Sequence, residues 1–271
     1  VTHIGVIQQI SRYPVKSMGG EQLQRVTLGA GGIPGDRAYA LRNVGNGKLL
    51  SAKLPPLATA LLGCSARYVD GACMVTVEGN ELAIDDPALV AVLGERLGCQ
   101  VEIERAEVGG SYESEWLPFD GVELQGTHDF PVAMMTHAET FADLAAMHVL
   151  TTSALAALAA AATESLITVG RFRPSVLIDN GAGDGFAENA WAGKRLAIGA
   201  AQLSITMPTM RCVMTTVAQP GLPSDKRVLQ TLVSRNRLHF EGAGHFGCLG
   251  AYGEVLGSGE ICVGDTVQLL D

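Results

Sequence analysis

Cys212 is the residue whose neighbours best suit it for chemistry. It lies in Pro208-Thr209-Met210-Arg211-Cys212-Val213-Met214-Thr215-Thr216-Val217, directly after an arginine. A guanidinium beside a thiol favours the thiolate, which is both a nucleophile and a soft metal ligand. A buried strand cysteine with no chemistry is the other local reading. On a straight strand Arg211 and Cys212 would face opposite ways. Both reach one ligand only if Pro208 to Cys212 is a turn that enters a strand at about Val213.

Three further cationic places sit at strand ends or turns: Lys16, Arg37, and the pair Arg171 and Arg173 in Gly170-Arg171-Phe172-Arg173-Pro174. Taken singly, each reads as an ordinary surface charge. Together they suit an anion with several oxygens, because arginine grips such groups bidentately while lysine supplies a point charge. The common alternatives are absent: there is no G-x-x-x-x-G-K-[ST] loop, no H-E-x-x-H helix and no G-x-S-x-G elbow. Gly181-Ala182-Gly183-Asp184-Gly185 reads as a surface turn. His239 and His245 flank a loop but have no cysteine pair nearby to make a zinc module.

The elements that must position these residues are mostly short strands. A strand over His3 to Ser11 ends at Tyr13-Pro14, since proline has no N–H for a ladder, which puts Lys16 and Ser17 on a loop. Gly31-Gly32-Ile33-Pro34-Gly35 is a turn before a strand from about Asp36 to Arg42, with Arg37, Tyr39 and Leu41 on one face. Val75 to Ile84 reads as a hairpin, Pro87 to Leu97 as a helix and Val101 to Arg105 as a strand. Gly109 to Gly126 is aperiodic and reads as the connection between two lobes, so the chain divides into residues 1–120 and 121–271. In the second part Ala145 to Leu150 is a strand, and Thr151-Thr152-Ser153 caps a helix reaching about Ala162. Val176 to Ile178, Arg195 to Ile198, Gln202 to Thr206 and Cys212 to Val217 are strands, and Leu229 to Arg235 is a helix. Two strands around Gly264-Asp265 finish the series. The pattern predicts a mainly β, α+β chain with a two-lobed β-barrel architecture.

Composition agrees. Of 271 residues 33 are glycine, an excess that points to many tight turns. The net charge of −9 argues against a nucleic-acid partner. No apolar run is long enough to span a membrane. Val1 to Ile10 already reads as a strand, not as a targeting peptide, so a cytoplasmic location is expected. The six cysteines are scattered without a C-x-x-C pair, so a disulfide framework is not expected.

As an ordered set, several short motifs carry a family resemblance. They are Tyr13-Pro14-Val15-Lys16-Ser17, Gly35-Asp36-Arg37, Arg171-Phe172-Arg173-Pro174 and Arg211-Cys212-Val213-Met214-Thr215-Thr216-Val217. Gly250-Ala251-Tyr252-Gly253-Glu254-Val255 and Val263-Gly264-Asp265-Thr266-Val267 complete it. The chain resembles the MOSC family (molybdenum cofactor sulfurase C-terminal domain) with its N-terminal β-barrel partner. Its nearest likeness is to the mitochondrial amidoxime-reducing components and their bacterial relatives.

The resemblance implies a molybdopterin cofactor between the lobes, with Cys212 as the molybdenum ligand. It implies cofactor contacts from Lys16, Ser17, Arg37, Arg173 and Tyr252, with Arg211 beside the ligand and hydroxyls from Thr152 and Ser153. Ser175 stands where the family often has Asn after Arg-Pro. The family's Thr-Thr-Val-Asp-Pro reads Thr215-Thr216-Val217-Ala218-Gln219-Pro220, and its serine-leucine helix opening reads Ser153-Ala154-Leu155.

The implied function is a molybdenum-dependent oxidoreductase that reduces a small N-hydroxylated or N-oxide substrate. The sequence has no cysteine motif for an iron–sulfur cluster, so a separate electron-donor protein is expected. A sulfur or molybdenum-cofactor carrier using Cys212 is the alternative, and a MOSC-like scaffold for an unrelated ligand is a third.

Overall fold

The computed structural model describes residues 1–116, 128–132 and 139–270. The chain begins with β1 (Thr2–Arg12), β2 (Glu21–Leu23), β3 (Arg25–Leu28) and β4 (Tyr39–Asn43). It continues through α1 (Pro55–Leu62), a three-stranded sheet of β5 (Ser65–Val69), β6 (Ala72–Val77) and β7 (Asn80–Ala83), and α2 (Pro87–Leu97). Next, β8 (Val101–Arg105) pairs with β4, and β9 (Tyr112–Trp116) pairs with β10 (His128–Val132). Beyond these come β11 (Met147–Thr151), α3 (Thr152–Ala161), α4 (Val169–Phe172), β12 (Val176–Asp179), β13 (Arg195–Ile198) and β14 (Ala201–Met210). The last elements are α5 (Arg227–Arg235), β15 (Arg237–Phe240), β16 (Gly244–Gly257), β17 (Gly259–Cys262) and β18 (Thr266–Leu270).

Seven strands close into a barrel in the order β11-β12-β1-β18-β13-β14-β16, because β16 also pairs back onto β11. Inward residues from every strand fill it, among them Ile7, Ile10, Val149, Val176, Ile178, Leu196, Ile198, Leu203, Ile205, Ala251 and Val267. Closure removes the open edges that a sheet would otherwise expose. α3 and α5 cover one side through Ala154, Leu158, Val228, Leu229 and Leu232. A separate core, with Leu61, Val75, Leu89, Leu93 and Val101, packs α1, β6, α2 and β8 together. The chain is therefore mainly β, as expected. Among the described residues no helix is long and apolar enough to cross a membrane.

α2 and β8 have the expected limits. α2 starts on Pro87 with Asp86 accepting from the Ala88 N–H, and it ends at Gly98 in the left-handed conformation. β13 also has its expected limits, β6 and β7 form the expected hairpin, and Thr151 caps α3 as expected, whereas other segments differ. The strand expected from Asp36 starts at Tyr39, and Arg37 is left in a left-handed turn (φ 49°) because its N–H is taken by the Tyr13 carbonyl (2.7 Å). The segment expected to connect the lobes contains β9, paired to β10, and the division at residue 120 lies outside the described residues.

Cys212 to Val217 is not a strand. Pro208 to Met210 ends β14, and Val213–Thr216 is a 3-10 turn. The threonine hydroxyls explain it: Thr215 Oγ1 donates to the Cys212 carbonyl (3.0 Å) and Thr216 Oγ1 to the Val213 carbonyl (2.7 Å). Such side-chain bonds to nearby backbone compete with a ladder.

Candidate functional site

At one end of the barrel lies a cleft lined by Lys16, Ser17, Arg37, Arg173, Ser175, Arg211 and Tyr252, together with Phe141, Asp143, His148, Phe172 and Met214. It measures about 600 Å³ out to its open mouth, with about 90 Å³ free for water-sized occupants. In a chain of net charge −9, four cations and a single carboxylate face this space.

Each cation is held by backbone. The loop after β1 is strung along β4: the Lys16 N–H donates to the Tyr39 carbonyl (2.8 Å), and the Tyr39 N–H to the Pro14 carbonyl (3.1 Å). Tyr13 is latched by its N–H to Asp36 Oδ1 (2.6 Å), and Asp36 also pairs with Arg37. The Tyr13 ring then lies between two guanidiniums, 4.1 Å from Arg173 and 4.9 Å from Arg37. Arg173 Nη1 donates to the Met18 carbonyl (2.5 Å), and Arg211 Nη2 to the Phe172 carbonyl (2.9 Å). Ser17 Oγ accepts from the Ala52 N–H (3.0 Å), and Ser175 Oγ from the His148 N–H (3.2 Å).

Two features mark the cleft as a candidate ligand site. Ser17, Arg37 and Arg173 all have positive φ (66°, 49° and 53°), a conformation costing about 1 kcal/mol or more each and concentrated at functional sites. In addition, Arg173 Nη2 and Arg211 Nε are buried without any hydrogen-bond partner. A buried charged donor left unpaired is costly, and an oxyanion in the cleft would satisfy both.

Burial pushes the Lys16 ammonium from 10.5 down to about 8; Asp143 opposes the shift, and Lys53 and Arg37 add to it. Lys16 Nζ lies 2.5 Å and Lys53 Nζ 3.1 Å from Asp143 Oδ1. Burial acts against ionisation of Asp143, but these two lysines outweigh it and hold the carboxyl below its usual range. A lysine depressed on folding releases its proton before the unfolded chain does, so its contribution to stability rises with pH between about 8 and 10.5. Anion binding runs the other way. Sulfate, which does not titrate there, should bind the cleft about tenfold more weakly at pH 9.5 than at pH 7, read by calorimetry. Lys16→Met should flatten that profile.

Burial, reinforced by Arg211, holds His148 well below its ordinary pKa and therefore neutral, with Nε2 against the Leu249 carbonyl at 3.3 Å. Gly250 makes room for it: its φ is +83°, and a Cβ there would stand 2.4 Å from His148 Nε2. Across the β11–β16 pairing His148 faces Tyr252, with ring centres 5.9 Å apart. Burial raises the Tyr252 phenol while Arg211 opposes, so the hydroxyl keeps its proton.

Seven of the ten residues expected at the site thus come together. Cys212 is half-buried and stands between Arg211 and Met214, which line the cleft, without lining it itself. Burial lowers the Arg211 pKa, and Tyr252 and the neighbouring Cys212 oppose that shift. Thr152 and Ser153 are elsewhere, bonded to Asp179, Asn180 and the Asp184 carbonyl at the start of α3. Arg171 also turns away: fully buried, it donates to the carbonyls of Leu166, Thr215, Val217 and Pro223.

Residues 136–268 match the model of the MOSC domain, and residues 4–91 match the MOSC N-terminal beta barrel domain. The chain belongs to the MOSC family. MOSC domains are associated with molybdenum-cofactor binding and with sulfurase-like proteins. Among solved structures, this MOSC chain is similar to the YUAD protein from Bacillus subtilis at 10% identity, covering 98% of this chain and 94% of that one, with a TM-score of 0.46. It is also similar to YiiM from Geobacillus stearothermophilus (20% identity, 47% of this chain and 55% of that one, TM-score 0.32). YiiM from Escherichia coli gives 14% identity over 47% of this chain and 55% of that one, with a TM-score of 0.33. The chain therefore spans about half the length of each YiiM protein. No curated protein matches it.

Proposed function

We propose that this protein binds a molybdenum cofactor in the cleft and reduces small N-hydroxylated or N-oxide substrates with electrons from a separate donor protein. The observation that carries this reading is the pair of unsatisfied buried guanidiniums, Arg173 and Arg211, in a cationic cleft beside Cys212 of a MOSC domain. The donor set fits the group in charge: Lys16, Arg37, Arg173 and Arg211 suit its phosphate, and the Cys212 thiolate suits a soft metal.

When bound, the cofactor supplies two-electron oxygen-removal chemistry that no side chain offers. Converting N–OH to N–H and water consumes two electrons and two protons. Two groups of this chain hold a proton facing the cleft, the Lys16 ammonium, lowered by burial to about 8, and the Tyr252 hydroxyl, which burial keeps protonated. Neutral His148 lines the cleft beside Tyr252, with ring centres 5.9 Å apart across the strand pair.

Protein purified from a molybdenum-competent host should contain near-stoichiometric molybdenum and pterin and should reduce benzamidoxime with a reduced viologen as donor. Metal-free protein from that host would overturn the reading. The half-exposed position of Cys212 also favours a second reading, a carrier that bears a persulfide or delivers cofactor; it predicts transfer to an acceptor and no turnover.

A further inference from the structure

We propose that His239 and His245 form an accessory binding site for a divalent transition-metal ion of the zinc, nickel and copper class. The two residues stand directly opposite each other in the β15–β16 hairpin, with ring centres 4.7 Å apart and planes inclined by 47°. Both are exposed, and among the described residues neither ring makes a hydrogen bond or ion pair.

The spacing is what one shared ion requires. With metal–nitrogen bonds of ~2.0–2.1 Å and ring centres about 1.1 Å beyond each nitrogen, two imidazoles at about 90–110° around one ion lie about 4.5–5.2 Å apart. Neutral imidazole is a preferred ligand for these ions, and two strands held in register supply two ligands without ordering a loop.

The hairpin is fixed at its base. The Cys248 N–H donates to the Asn236 carbonyl (2.9 Å) and Asn236 Nδ2 donates to the Cys248 carbonyl (2.9 Å). Gly247 packs against Leu232 and Val233 of α5 so closely that a Cβ there would lie 2.8 Å from the Val233 nitrogen. The two histidines are thus presented on a rigid ladder, and water completes the coordination, which makes the site open and exchangeable. It lies outside the lining of the cleft, whose Arg211 donates its N–H to the Gly247 carbonyl (2.9 Å), two residues along β16 from His245. Nothing in it depends on the molybdenum reading.

The experiment uses the chelator-treated full-length chain titrated with Ni2+, observed through the histidine ring protons by NMR. The resonances of His239 and His245 should broaden together, ahead of the other histidines, and recover on adding EDTA. His239→Gln and His245→Gln should each weaken Ni2+ binding at this hairpin at least ~tenfold, because each removes half of a chelate. Because the signals report ring by ring, binding at cysteines elsewhere does not register. Broadening that begins at other histidines, or a single variant whose remaining hairpin histidine responds like the parent, would overturn the site.

Discussion

Cys212→Ala protein, prepared from a molybdenum-competent host, should show no protein sulfur on its metal and a turnover reduced by more than about 100-fold. That figure is a lower bound, since loss of partners outside the ligand set alone costs ~10–100-fold. Alanine offers no soft anionic ligand, whereas the cationic wall formed by Lys16, Arg37, Arg173 and Arg211 is untouched. Pterin retention should therefore fall much less than activity. X-ray absorption at the metal edge counts the sulfurs, and elemental analysis gives the metal. Cys212 makes contact through its carbonyl with Thr215, so the backbone turn survives the substitution. Wild-type turnover in Cys212→Ala would remove the assigned ligand, and it would equally exclude the carrier reading, which predicts no turnover in either protein.

Arg171→Met should lower stability by about 3 kcal/mol or more, although Arg171 touches no part of the cleft. Its guanidinium is fully buried and serves four carbonyls, at 2.9 Å (Leu166), 3.2 Å (Thr215), 3.4 Å (Val217) and 2.7 Å (Pro223). Methionine fills much of the volume but donates nothing, so buried acceptors lose their partners at about 1–3 kcal/mol each, partly recovered by relaxation. Two of those carbonyls belong to the turn that follows Cys212, so the thiol should also lose its fixed position. Denaturant melts should show the loss, and a chain of this size should melt roughly 6–12 °C lower. A variant as stable as the parent would show that the turn holds itself.

Much of this site was legible from residue types, and the reasons are local. Pro14 forces a loop at Lys16, and the Arg171-Phe172-Arg173-Pro174 run marks a break before a strand. The sequence could not show which arginine turns inward. Arg171 and Arg173 are two residues apart, yet the left-handed backbone at Arg173 sends its side chain to Tyr13 while Arg171 points into the loop below.

Asp143 and His148 were not singled out. Asp143 acquires its role through Lys16, 127 residues away in sequence, and His148 through the strand pairing with Tyr252. β16 was also hidden. Its five glycines interrupt any alternation, and two are there because a neighbour leaves no room for a Cβ: Gly250 against His148 and Gly247 against α5. Thr152 and Ser153 carried a sound capping signal, and their hydroxyls bond within the α3 region.

The barrel takes β1 as the strand between β12 and β18. As the polypeptide leaves the ribosome, Val6 must wait for Asp179 and then for Thr266 before both its edges are paired. Closure thus waits until Thr266 has emerged, and such long-range pairing is slow to form. Until then the apolar face of Ile7 and Ile10 needs shelter, so a holding chaperone that captures nascent chains should matter more for this protein than for one whose strands pair with their immediate successors.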